Sequence, residues 1–166
     1  MHDELTKIDI QKMQEELAYR RTLIPGLREE VRRTKEYGDL SENDEYRSAR
    51  RELNRNNSRI QYLEQMIKTA VIISTDSEHD EIGLFDEVEI FYDEDNESRM
   101  IRLVTTLRND VTRGCISKES PLGKALLGHK VGETVTVRVN ERTKYPVTIR
   151  SIKKGEDDDS LEIAKY

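Results

Sequence analysis

The stretch Gly38-Asp39-Leu40-Ser41-Glu42-Asn43-Asp44-Glu45-Tyr46 places four carboxylates, Asp39, Glu42, Asp44 and Glu45, within seven residues. Acids at this density do one of two kinds of work. At the start of a helix they accept from free backbone N–H groups and complement the helix dipole, each for about 0.3–1 kcal/mol. Asp39-x-x-Glu42 and Ser41-x-x-Asp44 both have capping-box spacing. Alternatively, they hold a divalent cation. Mg²⁺ takes an octahedron of oxygens, usually a carboxylate or two completed by waters and substrate phosphates, so neighbouring acids on a loop form only part of a site. Delivered to a centre that already holds one Mg²⁺ and a phosphodiester, such a pair completes a two-metal arrangement. Four carboxylates exceed what capping one helix needs, and their mutual repulsion calls for a cation or a cationic partner. On the residues alone, both readings stand.

Two helical patterns flank the acids and must position them. Upstream, the inward positions are Met13, Leu17, Arg20, Ile24, Leu27, Val31 and Thr34. Downstream they are Tyr46, Ala49, Leu53, Asn56, Ile60, Leu63, Ile67 and Ala70. The spacing alternates between three and four residues, a period of about 3.5 that marks a left-handed coiled coil. The two series mirror each other about residue 40: Thr34 faces Tyr46, Leu27 faces Leu53 and Met13 faces Ile67. The spacing therefore predicts an antiparallel helical hairpin with the acids at its tip, each arm roughly 45 Å long at the usual helical rise.

Thr6 or Asp9 is placed to cap the first helix, and Gly38 to stop it. Pro25-Gly26 falls inside the pattern, so a break or kink is expected near Thr22–Pro25 without loss of the seam. Basic residues gather on the outer part of the arms: Arg28, Arg32, Arg33 and Lys35 on the first, Arg47, Arg50, Arg51, Arg55 and Arg59 on the second. Such charges either solvate the rod through helix-surface pairs or form a strip that contacts phosphates, for which the planar guanidinium is suited.

Charged residues make up 37% of the 166-residue chain and aromatics 5%, which disfavours one thick core and fits a rod with a small second domain. The net charge of −6 lies in the second half, because residues 1–74 carry 14 basic and 14 acidic side chains. That balance is not the charge of a free DNA-binding protein. Cys115 is the single cysteine, and His2, His79 and His129 show no ligand spacing, which excludes an internal disulfide and a cysteine-based zinc site. No apolar run approaches a membrane span and the N-terminus lacks the segments of a signal peptide, so no membrane partner and a cytoplasmic location are expected.

The reading assigns residues 1–74 to the hairpin, 75–82 to a polar linker and 83–166 to a second domain. There the period changes to two, as in Val88-x-Ile90-x-Tyr92, Val135-x-Val137-x-Val139 and Tyr145-x-Val147-x-Ile149. Asp93-Glu94-Asp95-Asn96 reads as a turn, and Pro121 to Leu127 as one short helix that Gly128 ends. Short strands with one helix indicate a small antiparallel α+β domain. No catalytic set is visible in it. Glu156-Asp157-Asp158-Asp159 reads as a solvated loop.

With these elements placed, the Gly38–Tyr46 motif on a hairpin tip resembles the bacterial Gre transcript cleavage and elongation factors. Pro25 in the first arm, Arg59-Ile60-x-x-Leu63-Glu64 in the second and Ser120-Pro121-Leu122-Gly123-Lys124-Ala125-Leu126-Leu127-Gly128 extend the resemblance over essentially the whole chain. It implies an FKBP-like sheet for the C-terminal domain, giving a two-domain α and α+β protein, and a probe that enters the secondary channel of RNA polymerase. Asp39 and Glu42 match the family's catalytic acids. By resemblance they help hold a second Mg²⁺ shared with the polymerase, whose own centre then cleaves the 3′ end of backtracked nascent RNA. The factor is thus a donor of ligands rather than an enzyme, holds no cofactor alone, and is expected to be a monomer. Asn43, Asp44, Glu45, Tyr46 and Arg50 fall at positions that support the tip or contact RNA, and Ser120, Pro121 and Leu122 match the region that docks on the channel rim. Asp44 stands where a small residue is usual, and Ile24 where a basic one is common. The alternatives are a channel-binding paralogue that inhibits the polymerase without cleavage, and a coiled-coil adaptor whose tip is only a cap. A free nuclease is disfavoured, because exposed acids without a pocket cannot position a phosphodiester.

Overall fold

A computed structural model describes residues 3–38 and 43–164. The chain divides into two compact units, one spanning Ile10–Ala70 and one comprising residues 3–9 together with the chain from Val71 onward.

The first unit is the hairpin. Helix α1 spans Lys7–Lys35 and α2 spans Asp44–Thr69. Thr6 and Asp9 start α1 reciprocally: Asp9 Oδ2 accepts from the Thr6 N–H at 3.0 Å and Thr6 Oγ1 from the Asp9 N–H at 3.2 Å. The seam positions are buried or half-buried along both arms, with Met13, Leu17, Ala49, Ile60 and Leu63 among the buried ones. The expected break at Thr22–Pro25 does not occur, and α1 runs through Pro25 as one helix. Proline in a helix interior costs about 3 kcal/mol through a lost hydrogen bond and a steric clash. Here Ile24, Leu27 and Val31 stay half-buried on both sides of it, and that seam burial offsets the cost.

The middle of the seam is polar. Asn56 donates through Nδ2 to the Arg20 carbonyl at 3.0 Å and accepts from Arg20 Nη1 at 3.3 Å. Arg59 grips Glu16 in a fork, Nε to Oε1 at 2.9 Å and Nη2 to Oε2 at 3.0 Å. Burial pushes the Glu16 carboxyl up, but the Arg59 and Arg20 guanidiniums outweigh it and hold its pKa below the ordinary value. These partners fit in only one alignment of the arms, so the network fixes the register.

The second unit is built on a five-stranded sheet of order β5-β4-β3-β7-β6, from β3 (Glu87–Tyr92), β4 (Glu97–Val104), β5 (Cys115–Ser117), β6 (Thr134–Arg138) and β7 (Lys144–Lys153). Alternation sends Val88, Ile90, Ile101, Leu103, Val135, Val137, Val147 and Ile149 to one face, where Leu126 of helix α3 (Pro121–Leu126) covers them. The sheet is mixed rather than wholly antiparallel, because β5 pairs parallel with β4. The chain between those two strands is long enough to reverse direction, through two 3-10 turns at Thr106–Arg108 and Val111–Arg113. Asp93–Asn96 forms the expected turn, with Asn96 in the left-handed region at φ 52°.

The compact units assign the two ends of the hairpin segment differently from the sequence-based division. β1 (Glu4–Leu5) pairs parallel with β2 (Val71–Ile72), so residues 3–9 and 71–74 belong to the second unit. The polar stretch 75–82 ends in a core residue: Ile82 is 1% exposed and exchanges backbone bonds with His129 and Gly128 at 2.9 Å. The acidic run is not uniformly solvated. Asp157 binds the buried Arg108, whose Nε also donates to Asp9 at 2.8 Å and whose Nη1 reaches the Asp158 carbonyl at 3.1 Å. A second buried carboxylate, Asp86, accepts from Gly83 N, Gly155 N and Lys154 Nζ at 2.6–2.9 Å. No helix among the described residues is long and apolar enough to cross a membrane.

Candidate functional site

The hairpin end is assembled from the last turn of α1 and the first turn of α2. Glu36 and Tyr37 follow α1, and Gly38 turns the chain away at φ 107°, a conformation side-chain-bearing residues rarely adopt. Asn43 is the N-cap of α2 in an extended conformation, its Oδ1 accepting from the Tyr46 N–H at 3.0 Å. Its Nδ2 reaches across to the Thr34 carbonyl at 2.8 Å. The candidate acids Asp39 and Glu42 lie outside the described residues. They fall on the segment whose two ends this asparagine joins.

With Asn43 as the cap, Asp44 is free of that task. Its side chain is 94% exposed and only loosely opposes Arg47 at 3.9 Å. Glu45 is exposed beside it, while Tyr46 is half-buried and its ring centroid lies 5.9 Å from the Arg50 guanidinium. Arg33, Tyr37 and Glu30 form a second cluster. Arg33 donates to the Tyr37 hydroxyl, sits 5.5 Å from its ring and pairs with Glu30 at 2.6 Å. The Arg33 bond lowers the Glu30 pKa.

The basic strip divides into two sets. Arg32 is held by Glu29 and Glu36 at 2.5 and 2.7 Å, Arg33 by Glu30, and Arg55 by Glu52 at 3.2 Å, each pair within one arm. Arg28, Lys35, Arg50 and Arg51 are exposed and have no carboxylate within 4.0 Å among the described residues. Surface pairing thus accounts for part of the strip, and a set of outward cations is left for a polyanion. Arg59, counted with the strip in the sequence, is buried against Glu16 and belongs to the seam.

In the second unit, Ser120 caps α3: its Oγ accepts from Gly123 N at 3.0 Å and donates to the Ser117 carbonyl at 2.7 Å. Leu122 packs against the core, so of the three expected docking residues Pro121 alone is exposed, with Ser120 and Leu122 half-buried. No group of three or more His, Cys, Asp or Glu side chains that could hold a metal occurs among the described residues. Thr34 was legible only as a seam residue. The signal for its further role was its mirror position opposite Tyr46, which places its carbonyl under the Asn43 cap.

Two family models match the chain, "Transcription elongation factor, N-terminal" over residues 4–72 and "Transcription elongation factor, GreA/GreB, C-term" over residues 76–154. Transcription elongation factor GreA of Thermotoga sp. strain RQ2 is 39% identical over 135 residues, covering 81% of this chain and 86% of the relative. The protein of the same name from Caldanaerobacter subterraneus subsp. tengcongensis is 39% identical over 137 residues, covering 81% and 87%. Among solved structures, the GreA factor homolog 1 (Gfh1) protein of Thermus thermophilus aligns over 93% of this chain and 100% of its own, at 27% identity and a TM-score of 0.43.

Proposed function

The chain belongs to the GreA/GreB family of transcription elongation factors, and from that premise we propose that it enters the secondary channel of RNA polymerase and stimulates cleavage of backtracked nascent RNA. The observation that carries this reading is the clamped hairpin end. Two long helices, locked in register by Glu16, Arg20, Asn56 and Arg59, are tied together by the Asn43–Thr34 bond, and Asp39 and Glu42 lie in sequence between those two residues.

In this reading Asp39 and Glu42 contribute oxygens to a Mg²⁺ shared with the polymerase, an ion that supplies a polarised water and charge neutralisation at the phosphodiester. The chain's own part is to deliver those oxygens. The outward cations Arg28, Lys35, Arg50 and Arg51 offset repulsion from the RNA backbone as the acidic tip approaches it. The second unit docks at the channel rim through the surface around Pro121. The chain is not itself an enzyme, since its acids act only within the polymerase centre. Purified RNA polymerase stalled in a backtracked complex tests this. Wild-type chain should shorten the RNA, whereas Asp39→Ala and Glu42→Ala should bind the polymerase and leave the RNA intact. Inhibition of nucleotide addition by wild type without shortening would instead assign the chain to the inhibitory paralogues.

A further inference from the structure

We propose that Asn43 is a positioning residue for the tip acids, one carboxamide that serves both helix ends at once. This rests on the cleavage reading above, because its consequence falls on Asp39 and Glu42. The last carbonyls of a helix lack intrahelical donors and its first N–H groups lack acceptors. At the end of α1, Thr34 is 1% exposed, and its carbonyl accepts from the Tyr37 N–H at 3.3 Å and from Asn43 Nδ2 at 2.8 Å. At the start of α2, Asn43 Oδ1 takes the Tyr46 N–H at 3.0 Å. The same side chain therefore donates to one arm and accepts from the other, nine residues apart in sequence.

Capping alone does not select asparagine. Aspartate and serine cap about as well, but ionised aspartate only accepts and the serine hydroxyl is too short to span to the other arm, whereas a carboxamide carries both a donor and an acceptor. The bond to Thr34 fixes the separation of the two ends of the segment bearing Asp39 and Glu42. Thr34 is buried and Tyr46 half-buried, so both residues that the carboxamide bonds are held in place by their own burial. Fixing the ends restricts where the acids are presented, which matters because a misplacement of about 1 Å in a catalytic constellation costs on the order of a hundredfold in rate.

The test uses the full chain with Asn43→Ser and Asn43→Asp. Both retain an acceptor for the Tyr46 N–H, so the melting temperature should hold. Both lose the donor to Thr34. We expect each to lower stimulated cleavage roughly ten- to a hundredfold and to raise the Mg²⁺ concentration needed for half-maximal cleavage, with polymerase affinity unchanged. The neutral serine separates loss of the donor from added charge. Wild-type cleavage with serine and aspartate variants equally active would overturn the clamp and leave the function intact. Should wild type itself fail to cleave, the function reading falls, and hydrogen exchange of the Asn43 side-chain amide in the free chain decides the clamp. Slowed exchange supports it, and exchange as fast as an exposed asparagine overturns it.

Discussion

Replacing Arg108 with methionine removes the one cation that two buried carboxylates of the second unit share. The Arg108 side chain is 0% exposed, as is that of Asp9, and Asp157 is 8% exposed. Methionine fills much of the volume but leaves both acids without a counter-charge. Asp9 keeps only its capping bond from Thr6 N, and Asp157 the Thr6 hydroxyl. Breaking a buried pair by removing one partner costs about 3–5 kcal/mol, most of it from the stranded charge. In a domain of this size each kcal/mol moves the midpoint by about 4–8 °C, so a fall of at least about 12 °C is expected for the unit. Urea denaturation followed by far-UV circular dichroism, with thermal melts alongside, measures both. The double substitution Arg108→Met/Asp157→Asn should recover part of the loss, since one stranded charge is gone. A loss below about 1 kcal/mol in the single variant would refute the view that this triad holds residues 3–9 and 156–158 against the sheet.

Two further outcomes follow from the geometry. Glu16 has a folded pKa below its ordinary value of 4.5, so its contribution to hairpin stability is present above that value and is lost as pH falls through the folded pKa. Melting of the hairpin should therefore drop on acidification below about pH 4.5, and Glu16→Gln should flatten that part of the curve, read by circular dichroism across the range. At Gly155 a Cβ would stand 2.0 Å from the Phe85 carbonyl oxygen, whereas at Gly26 it would meet nothing within 4 Å. Gly155→Ala should thus cost about 1–3 kcal/mol or more by overpacking, while Gly26→Ala should raise helix stability by up to about 1 kcal/mol, both read from denaturant midpoints.

The hairpin was legible because its information is local and periodic. Met13 to Thr34 and Tyr46 to Ala70 repeat at the coiled-coil spacing, and their mirror symmetry about residue 40 gives the antiparallel alignment without any long-range inference. Strand alternation in Val88–Tyr92, Val135–Val139 and Tyr145–Ile149 was legible for the same reason. What escaped was non-local. Asp9, Arg108 and Asp157 are separated by 99 and 49 residues, and nothing in the local charge pattern distinguishes Asp157 from its solvated neighbours. The β1–β2 pairing and the burial of Ile82 escaped because a two-residue parallel pair carries no periodicity, and Ile82 is a lone apolar residue after a polar run. Pro25 misled through a local rule that seam packing overrides. At the tip, the family resemblance pointed to Asp39 and Glu42 for chemistry, and the capping-box spacing pointed to Asp39 or Ser41 as caps. The cap is Asn43, whose neutral carboxamide can also reach the other arm.

The central claim, that the clamped hairpin delivers Asp39 and Glu42 to a polymerase centre, is tested most directly by one paired measurement. Backtracked elongation complexes with 3′-extended, end-labelled RNA are mixed with Mg²⁺ and either the wild-type chain or Asp39→Ala/Glu42→Ala, and polymerase binding is followed in the same samples. The account predicts that both proteins bind equally and that only wild type shortens the RNA. Equal shortening by both, or loss of binding in the double variant, would contradict it.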